Sequence, residues 1–213
     1  MAVYAVGSSI DLTVGAAGRL IGTDDAALVA SYDSSIANHG IIQSMTGVGV
    51  DDVTDSTIEN WGSITGFFSG AFFSGPDGSG TATFINHGEV ESYREALCSS
   101  AGTTHIVNDG TIHGARASIK LFYDYNDTIA NNGILNGMAT LGDGDDVYHG
   151  EAGCVVRGTV WGQAGDDRLV GGGFADTLSG GSGNDTLTGG AGADRLTGAT
   201  GWPAARGTTC SCS

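Results

Sequence analysis

Two adjoining nine-residue units decide the fold: Gly180-Gly-Ser-Gly-Asn-Asp-Thr-Leu-Thr188, followed at once by Gly189-Gly-Ala-Gly-Ala-Asp-Arg-Leu-Thr197. Upstream and in the same register stand Gly162-Gln-Ala-Gly-Asp-Asp-Arg-Leu-Val170 and Gly171-Gly-Gly-Phe-Ala-Asp-Thr-Leu-Ser179. A further copy, Leu141-Gly-Asp-Gly-Asp-Asp-Val-Tyr-His149, is offset by 21 residues. Each unit reads as a six-residue glycine-rich turn closed by a short strand. Two units make one coil, so turns 18 residues apart stack on one side of a flat roll. This pairs Asp167 with Asp185 and Asp176 with Asp194, with Asp146 above Asp167. Leu169, Leu178, Leu187 and Leu196 face a thin core.

The turn chemistry points to calcium. Glycine lets backbone carbonyls turn inward at angles that other residues resist. The aspartate adds one carboxylate at a fixed place. A hard cation that takes six to eight oxygens suits this mixture, and calcium suits it better than magnesium, which holds its own water. The candidate ligands are Gly144 and Asp146; Gly162, Gly165 and Asp167; and Gly171, Gly172 and Asp176. They continue with Gly180, Gly181, Gly183 and Asp185, then Gly189, Gly190, Gly192 and Asp194. Simple Asx-turns would not need glycine at fixed offsets in every copy. They would also leave stacked carboxylates repelling one another without a counter-ion. Phe174 replaces the third glycine of its turn and is expected to weaken that site.

Toward the N-terminus the period changes. Apolar-x-Asn-x-Gly-x-apolar recurs as Ile36, Asn38, Gly40, Ile42; Ile58, Asn60, Gly62, Ile64; and Phe84, Asn86, Gly88, Val90. It continues as Ile106, Asn108, Gly110, Ile112 and Ile129, Asn131, Gly133, Leu135, after a weaker first copy at Val14, Ala16, Gly18 and Leu20. Strand alternation puts these residues on one face. A repeat of about 22 residues is one coil of a parallel β-solenoid, which buries its apolar face only against its neighbours. Asparagines stacked one strand apart can bond each other or a turn, and Asn and Gly tolerate the left-handed angles of bends. The residues before the anchors, Thr13, Ser35, Thr57, Thr83, His105 and Thr128, form a mostly hydroxyl column. The stretch 66–75, with Phe67, Phe68, Phe72 and Phe73, reads as an insertion: an apolar pad or a ligand platform.

Composition agrees. Of 213 residues, 38 are Gly and 2 Pro, and Asp outnumbers Glu by 19 to 5. That mixture disfavours helical bundles. A net charge of −16 with one lysine, Lys120, argues against nucleic acid or an anionic membrane surface as a partner. No apolar run is long enough to span a bilayer. Residues 1–11 lack a basic segment, so no N-terminal secretory signal is expected. Cys98, Cys154, Cys210 and Cys212 match no zinc spacing and read as free thiols.

Residues 141–198 resemble the RTX, or haemolysin-type, calcium-binding parallel β-roll. The resemblance implies a bacterial protein that passes through a type I secretion machine, stays unfolded at low calcium, and folds on meeting calcium outside the cell. Four cysteines depart from the family's habit. The N-terminal part looks like the right-handed parallel β-helices of surface adhesins and polysaccharide-active proteins. No His-Glu-x-x-His and no Gly-x-Ser-x-Gly occurs, which argues against RTX proteases and lipases. The expected organisation is all-β: a β-helix over 1–140, a calcium β-roll over 141–201, and an aberrant tail over 202–213. Pro203 stands in that tail where the pattern wants Asp, as in a truncated or frameshifted product. Two weaker columns remain. Asp11, Asp33 and Asp55, continued by Thr81, Thr103 and Asn126, read as turn formers or a metal or sugar subsite. His39, Trp61, His87, Asp109 and Asn132 form an outward stripe: a solvated face, or one for glycan or acid-base work. The first functional reading is an extracellular calcium-binding solenoid with a structural or adhesive role, with glycans or a cell surface as further partners. The alternative is a carbohydrate-active enzyme, lyase-like or epimerase-like, or a fragment of one.

Overall fold

The computed structural model describes residues 3–4, 9–23, 26–30, 32–53, 55–75 and 79–198. The segment 202–213, with Cys210 and Cys212, lies outside them. Among the described residues every strand pairing is parallel and no helix occurs. The chain winds as a solenoid. Its first face is a nine-stranded sheet from Asp11–Val14 through Ser35–Asn38, Ser56–Asn60, Thr81–Asn86, Thr103–Asn108, Thr128–Asn131 and Val147–Gly150 to Arg168–Val170 and Thr186–Thr188. Two further faces belong to a fifteen-stranded sheet. One runs through Arg19–Gly22, Ile41–Ser44, Ser63–Gly66 and Glu89–Ser92; the other runs through Ala26–Val29, Val48–Val53, Ser69–Ser74 and Glu95–Ser100. The strand Thr111–Leu121 bends to serve both, with register shifts after His113. In the nonapeptide segment a single face, Val160–Ala164, Thr177–Ser182 and Arg195–Thr197, opposes the first.

The core is a set of columns. Ile36, Ile58, Phe84, Ile106, Ile129, Tyr148, Leu169 and Leu187 lie in direct register along the first face, and all are buried. Like residues stack because a parallel coil returns each position to the same place. The asparagine column does what its spacing predicts. Asn38 Nδ2 donates to Asn60 Oδ1 at 2.7 Å. Asn60 to Asn86, Asn86 to Asn108 and Asn108 to Asn131 follow, each at 2.8 Å. The ladder ends on the Tyr148 hydroxyl, 3.1 Å from Asn131 Nδ2. The partner glycines are needed for a different reason than bending. Gly62, Gly88, Gly110 and Gly133 are not at positive φ. A methyl group on any of them would overlap the carbonyl oxygen of the glycine one coil earlier.

Two details of the repeat reading need correction. The first coil registers Leu12, not Val14, with Ile36, so Asp11 faces Ser35 and Thr13 faces Ala37. A wider corner closed by Gly18 N to Gly15 O at 2.6 Å absorbs the difference, and Leu20 still meets Ile42. The phenylalanine stretch is not an insertion. Ser69–Ser74 is an ordinary rung that pairs with strands on both sides, and Phe73 is core, edge-on to Phe84 at 6.3 Å. The added length lies in the corner after it. Seven positions separate Ser74 from Thr81, where three separate their partners Ser100 and Thr103.

Candidate metal centre

Several corners entering first-face strands carry one side chain that accepts the backbone N–H of the coil before it; Ala82, in register between Ser56 and Thr104, has no such acceptor. In the β-helix this side chain is a hydroxyl: Ser34 Oγ accepts from Ile10 N at 3.3 Å, and Ser56 Oγ from Ser34 N at 3.1 Å. Further along, the same place is taken by aspartate. Asp127 Oδ1 accepts from Thr104 N at 2.6 Å, and Asp146 Oδ1 from Asp127 N at 2.7 Å. Asp167 Oδ1 accepts from Asp146 N at 3.0 Å, and Asp185 Oδ1 from Asp167 N at 3.2 Å. The expected stacking of Asp167 with Asp185, and of Asp146 above Asp167, is therefore present. The 21-residue offset costs no register, because the short strand Val155–Val156 takes up the extra residues.

Asp127 accepts from both the backbone and the side chain of Thr104, whereas the other three carboxylates have one oxygen committed and one left over. The Oδ2 atoms of Asp146, Asp167 and Asp185 are buried without a hydrogen-bond partner. Taking a carboxylate out of water favours its neutral form. Burial accordingly pushes Asp127 up to about 7, Asp146 to about 9 and Asp167 to about 7, against the lowering effect of their backbone hydrogen bonds. Neighbouring carboxylates push Asp146 and Asp167 the same way, and Asp185 and Asp176 are also raised, chiefly by burial. A column of orphaned buried acid oxygens is what a bound cation neutralises.

The glycines make room for this column. A methyl group at Gly162, Gly171, Gly180 or Gly189 would strike Oδ2 of the aspartate in the same turn. Gly144, Gly165 and Gly183 lie at φ of 128°, 128° and 141°, and a methyl group on any of them would overlap a carbonyl of the turn above. Gly181, Gly190 and Gly192 are also at positive φ. Among the described residues no three His, Cys, Asp or Glu side chains converge on one point. Turn carbonyls must then supply most ligands of any ion held here, which suits calcium.

The opposite corner carries the second expected pair. Asp176 N donates to Asp194 Oδ1 at 3.0 Å, and Asp176 Oδ2 accepts from Gly172 N at 2.7 Å. The turn with Phe174 has a different path: neither Gly172 nor Phe174 is at positive φ, whereas Gly190 and Gly192 one coil later are. Cys154, buried and free like Cys98, packs its sulfur against Gly172 at the head of this corner.

Asp127 was not anticipated, because no glycine surrounds it. The signal was present in Asn126-Asp-Thr-Ile129, which repeats Asn184-Asp-Thr-Leu187. A parallel exposed ladder stands one residue earlier. Asn126 Oδ1 accepts from Asp145 N, Asp145 Oδ1 from Asp166 N, and Asp166 Oδ1 from Asn184 N, at 2.9, 2.8 and 2.7 Å. Asp55 belongs to this outer column, at φ 61° and with Oδ1 2.9 Å from Thr81 N, as does Asp33 at φ 55°. Both act as turn formers. On the outward stripe, His39 stacks on Trp61 at 4.6 Å and Trp61 on His87 at 5.2 Å, and His87 Nδ1 meets Asp109 Oδ2 at 3.1 Å.

Comparison with known proteins bears on one part of the chain. No curated protein and no solved structure matches it. Residues 159–178 and 170–201 match the model of the RTX calcium-binding nonapeptide repeat, in four copies. The β-helix that precedes them therefore continues into an array of RTX calcium-binding repeats, at residues 159–201.

Proposed function

We propose that the protein is an extracellular calcium-binding solenoid whose roll folds on calcium and whose β-helix is a structural or adhesive rod. One observation carries this reading: the stacked Asp146, Asp167 and Asp185, whose second oxygens are buried and unpartnered. Asp146, Asp167 and Asp185 on one corner, and Asp176 and Asp194 on the other, would hold the ions together with carbonyls of the glycine turns. Bound calcium supplies the positive charge that lets these carboxylates stay ionised in a buried corner. The coils then stack without the repulsion that otherwise opposes them, as metals drive folding in other small metal-dependent domains. Secretion by a type I machine is part of the same reading and rests on the RTX repeats.

A calcium titration followed by circular dichroism tests it. The β signal should rise with a midpoint in the range of about 10⁻⁴ to 10⁻³ M, as in extracellular calcium modules. Asp185→Ala together with Asp194→Ala should move the midpoint upward at least tenfold. An unchanged titration in that double variant would refute the calcium reading.

A second reading, a glycan-binding or carbohydrate-active face, is favoured by a groove of about 330 Å³ on the β-helix, lined by Gln43, Thr65, Glu91 and Tyr93 among others. Exposed Met45, Phe67, Phe68 and Tyr93 stand at this edge, with Phe67 and Tyr93 rings 5.6 Å apart. Aromatic rings beside an amide, hydroxyls and a carboxylate suit a sugar chain. Tyr93→Ala should abolish retention on immobilised acidic or neutral polysaccharides; retention by neither protein would remove this reading.

A further inference from the structure

The turn stack does not start where the glycines start. Residues 122–130, Phe-Tyr-Asp-Tyr-Asn-Asp-Thr-Ile-Ala, contain no glycine and lie outside the residues matched to the RTX repeat. They nevertheless take the same path as the nonapeptide turns below them. The second turn position is held by Tyr123, Gly142, Gln163 and Gly181, at φ of 73°, 104°, 88° and 117°. The next position is in register as well, with Asp124 bridged to Asp143, Asp143 to Ala164, and Ala164 to Ser182. At the fourth position a methyl group on Gly144 would overlap the Tyr125 carbonyl, as one on Gly165 would overlap that of Gly144 and one on Gly183 that of Gly165. At the sixth stands Asp127, buried, directly above Asp146.

We infer that residues 122–130 are a glycine-free calcium turn, and that a calcium ion binds between it and the turn 141–146, held by Asp127, Asp146 and carbonyls of the two corners. This rests on the calcium reading above and extends it one coil into the β-helix. The acidic residues alone do not carry it. Asp146 is 1% exposed, and while its Oδ1 takes the Asp127 amide, its Oδ2 is buried with no partner. The carboxylate that faces the Asp127 turn thus has a spare oxygen that water does not reach. Tyr123 supports the assignment. A tyrosine held at positive φ is strained, and such strain persists only where the surrounding structure fixes it. The functional consequence is a shared ion at the seam: the coil that receives it belongs to the β-helix by its Asn131 and Ile129, and to the roll by its corner.

The test is calcium stoichiometry of the full chain by isothermal titration calorimetry, with circular dichroism on the same samples. Asp127→Asn keeps an oxygen to accept the Thr104 amide, so the corner can still close. It should bind one ion fewer than the wild-type chain, with the same β spectrum at saturation. Full stoichiometry in Asp127→Asn overturns the inference, and leaves the calcium reading standing if Asp185→Asn still loses ions. No uptake by the wild-type chain at millimolar calcium would overturn the calcium reading and this inference together. Tyr123→Gly provides a second arm should Asp127→Asn lose its β signal. It keeps every carboxylate and removes the strained backbone, so one ion should bind about threefold or more tighter. Unchanged binding in Tyr123→Gly would then count against the site.

Discussion

Asn86 is fully buried, accepts from Asn60, and donates to Asn108 and to the carbonyl of Thr111 at 3.3 Å. Truncation to alanine leaves the Asn108 oxygen without this donor in a place that water does not enter. Each orphaned group costs about 1–3 kcal/mol. Asn86→Ala should therefore lower the urea midpoint markedly, while His87→Ala, at the exposed neighbouring position, should cost under about 1 kcal/mol. Equal losses in the two variants would mean that the ladder adds nothing. The asparagine column was legible in the sequence because both residue type and interval repeat. The role of its glycines was not, since close approach between coils depends on the stacking distance, which a single strand does not reveal. Asp127 was missed for a related reason: the turn path there is imposed by the coils around it, at the expense of a strained Tyr123, and leaves no glycine to read.

On the proposed reading, the corner as an element should behave differently with and without calcium. In calcium-free protein, burial raises Asp127 and Asp167 to about 7 and Asp146 to about 9. Unfolded aspartates titrate near 3.9. The folded state thus holds protons that the unfolded state has released, and stability falls as pH rises wherever that is so. Calcium-free stability should be greatest below about pH 4 and decline through pH 7 to 9. On the proposed reading calcium takes the place of the proton, so saturating calcium should abolish or reverse this slope. Denaturation in a chelator at pH 5 and pH 9, repeated in calcium, checks both halves; a calcium-free stability that rose with pH would contradict the buried column. Elements were legible where a period held. Ser69–Ser74 escaped because its aromatic run hides an ordinary rung, while the turn signal Gly75-Pro-Asp-Gly78 that marks the added length stands just after that run.

At the scale of the molecule, contacts join each coil to its neighbours, so stability is a sum along one axis. Removing calcium should release the two-faced coils first, since they bury two short columns, Leu169 with Leu187 and Leu178 with Leu196, where the β-helix buries three. Hydrogen exchange in a chelator should quicken across 164–198 while rungs such as Ser56–Asn60, Thr81–Asn86 and Thr103–Asn108 stay slow. Uniform exchange along the chain would show that the two parts melt as one. The change from three faces to two was legible as the change from a 22-residue to a nine-residue period. The continuity of the sheet across it was not, because the coils between have 23, 19 and 21 residues and so keep no constant period. The corner bonds also give this rod a direction. Thr104 lends its amide to Asp127, Asp127 to Asp146, Asp146 to Asp167 and Asp167 to Asp185. Each coil is completed by the one that follows it, like the teeth of a zip that locks only from the C-terminal end, so losing the last coil unlatches the one before.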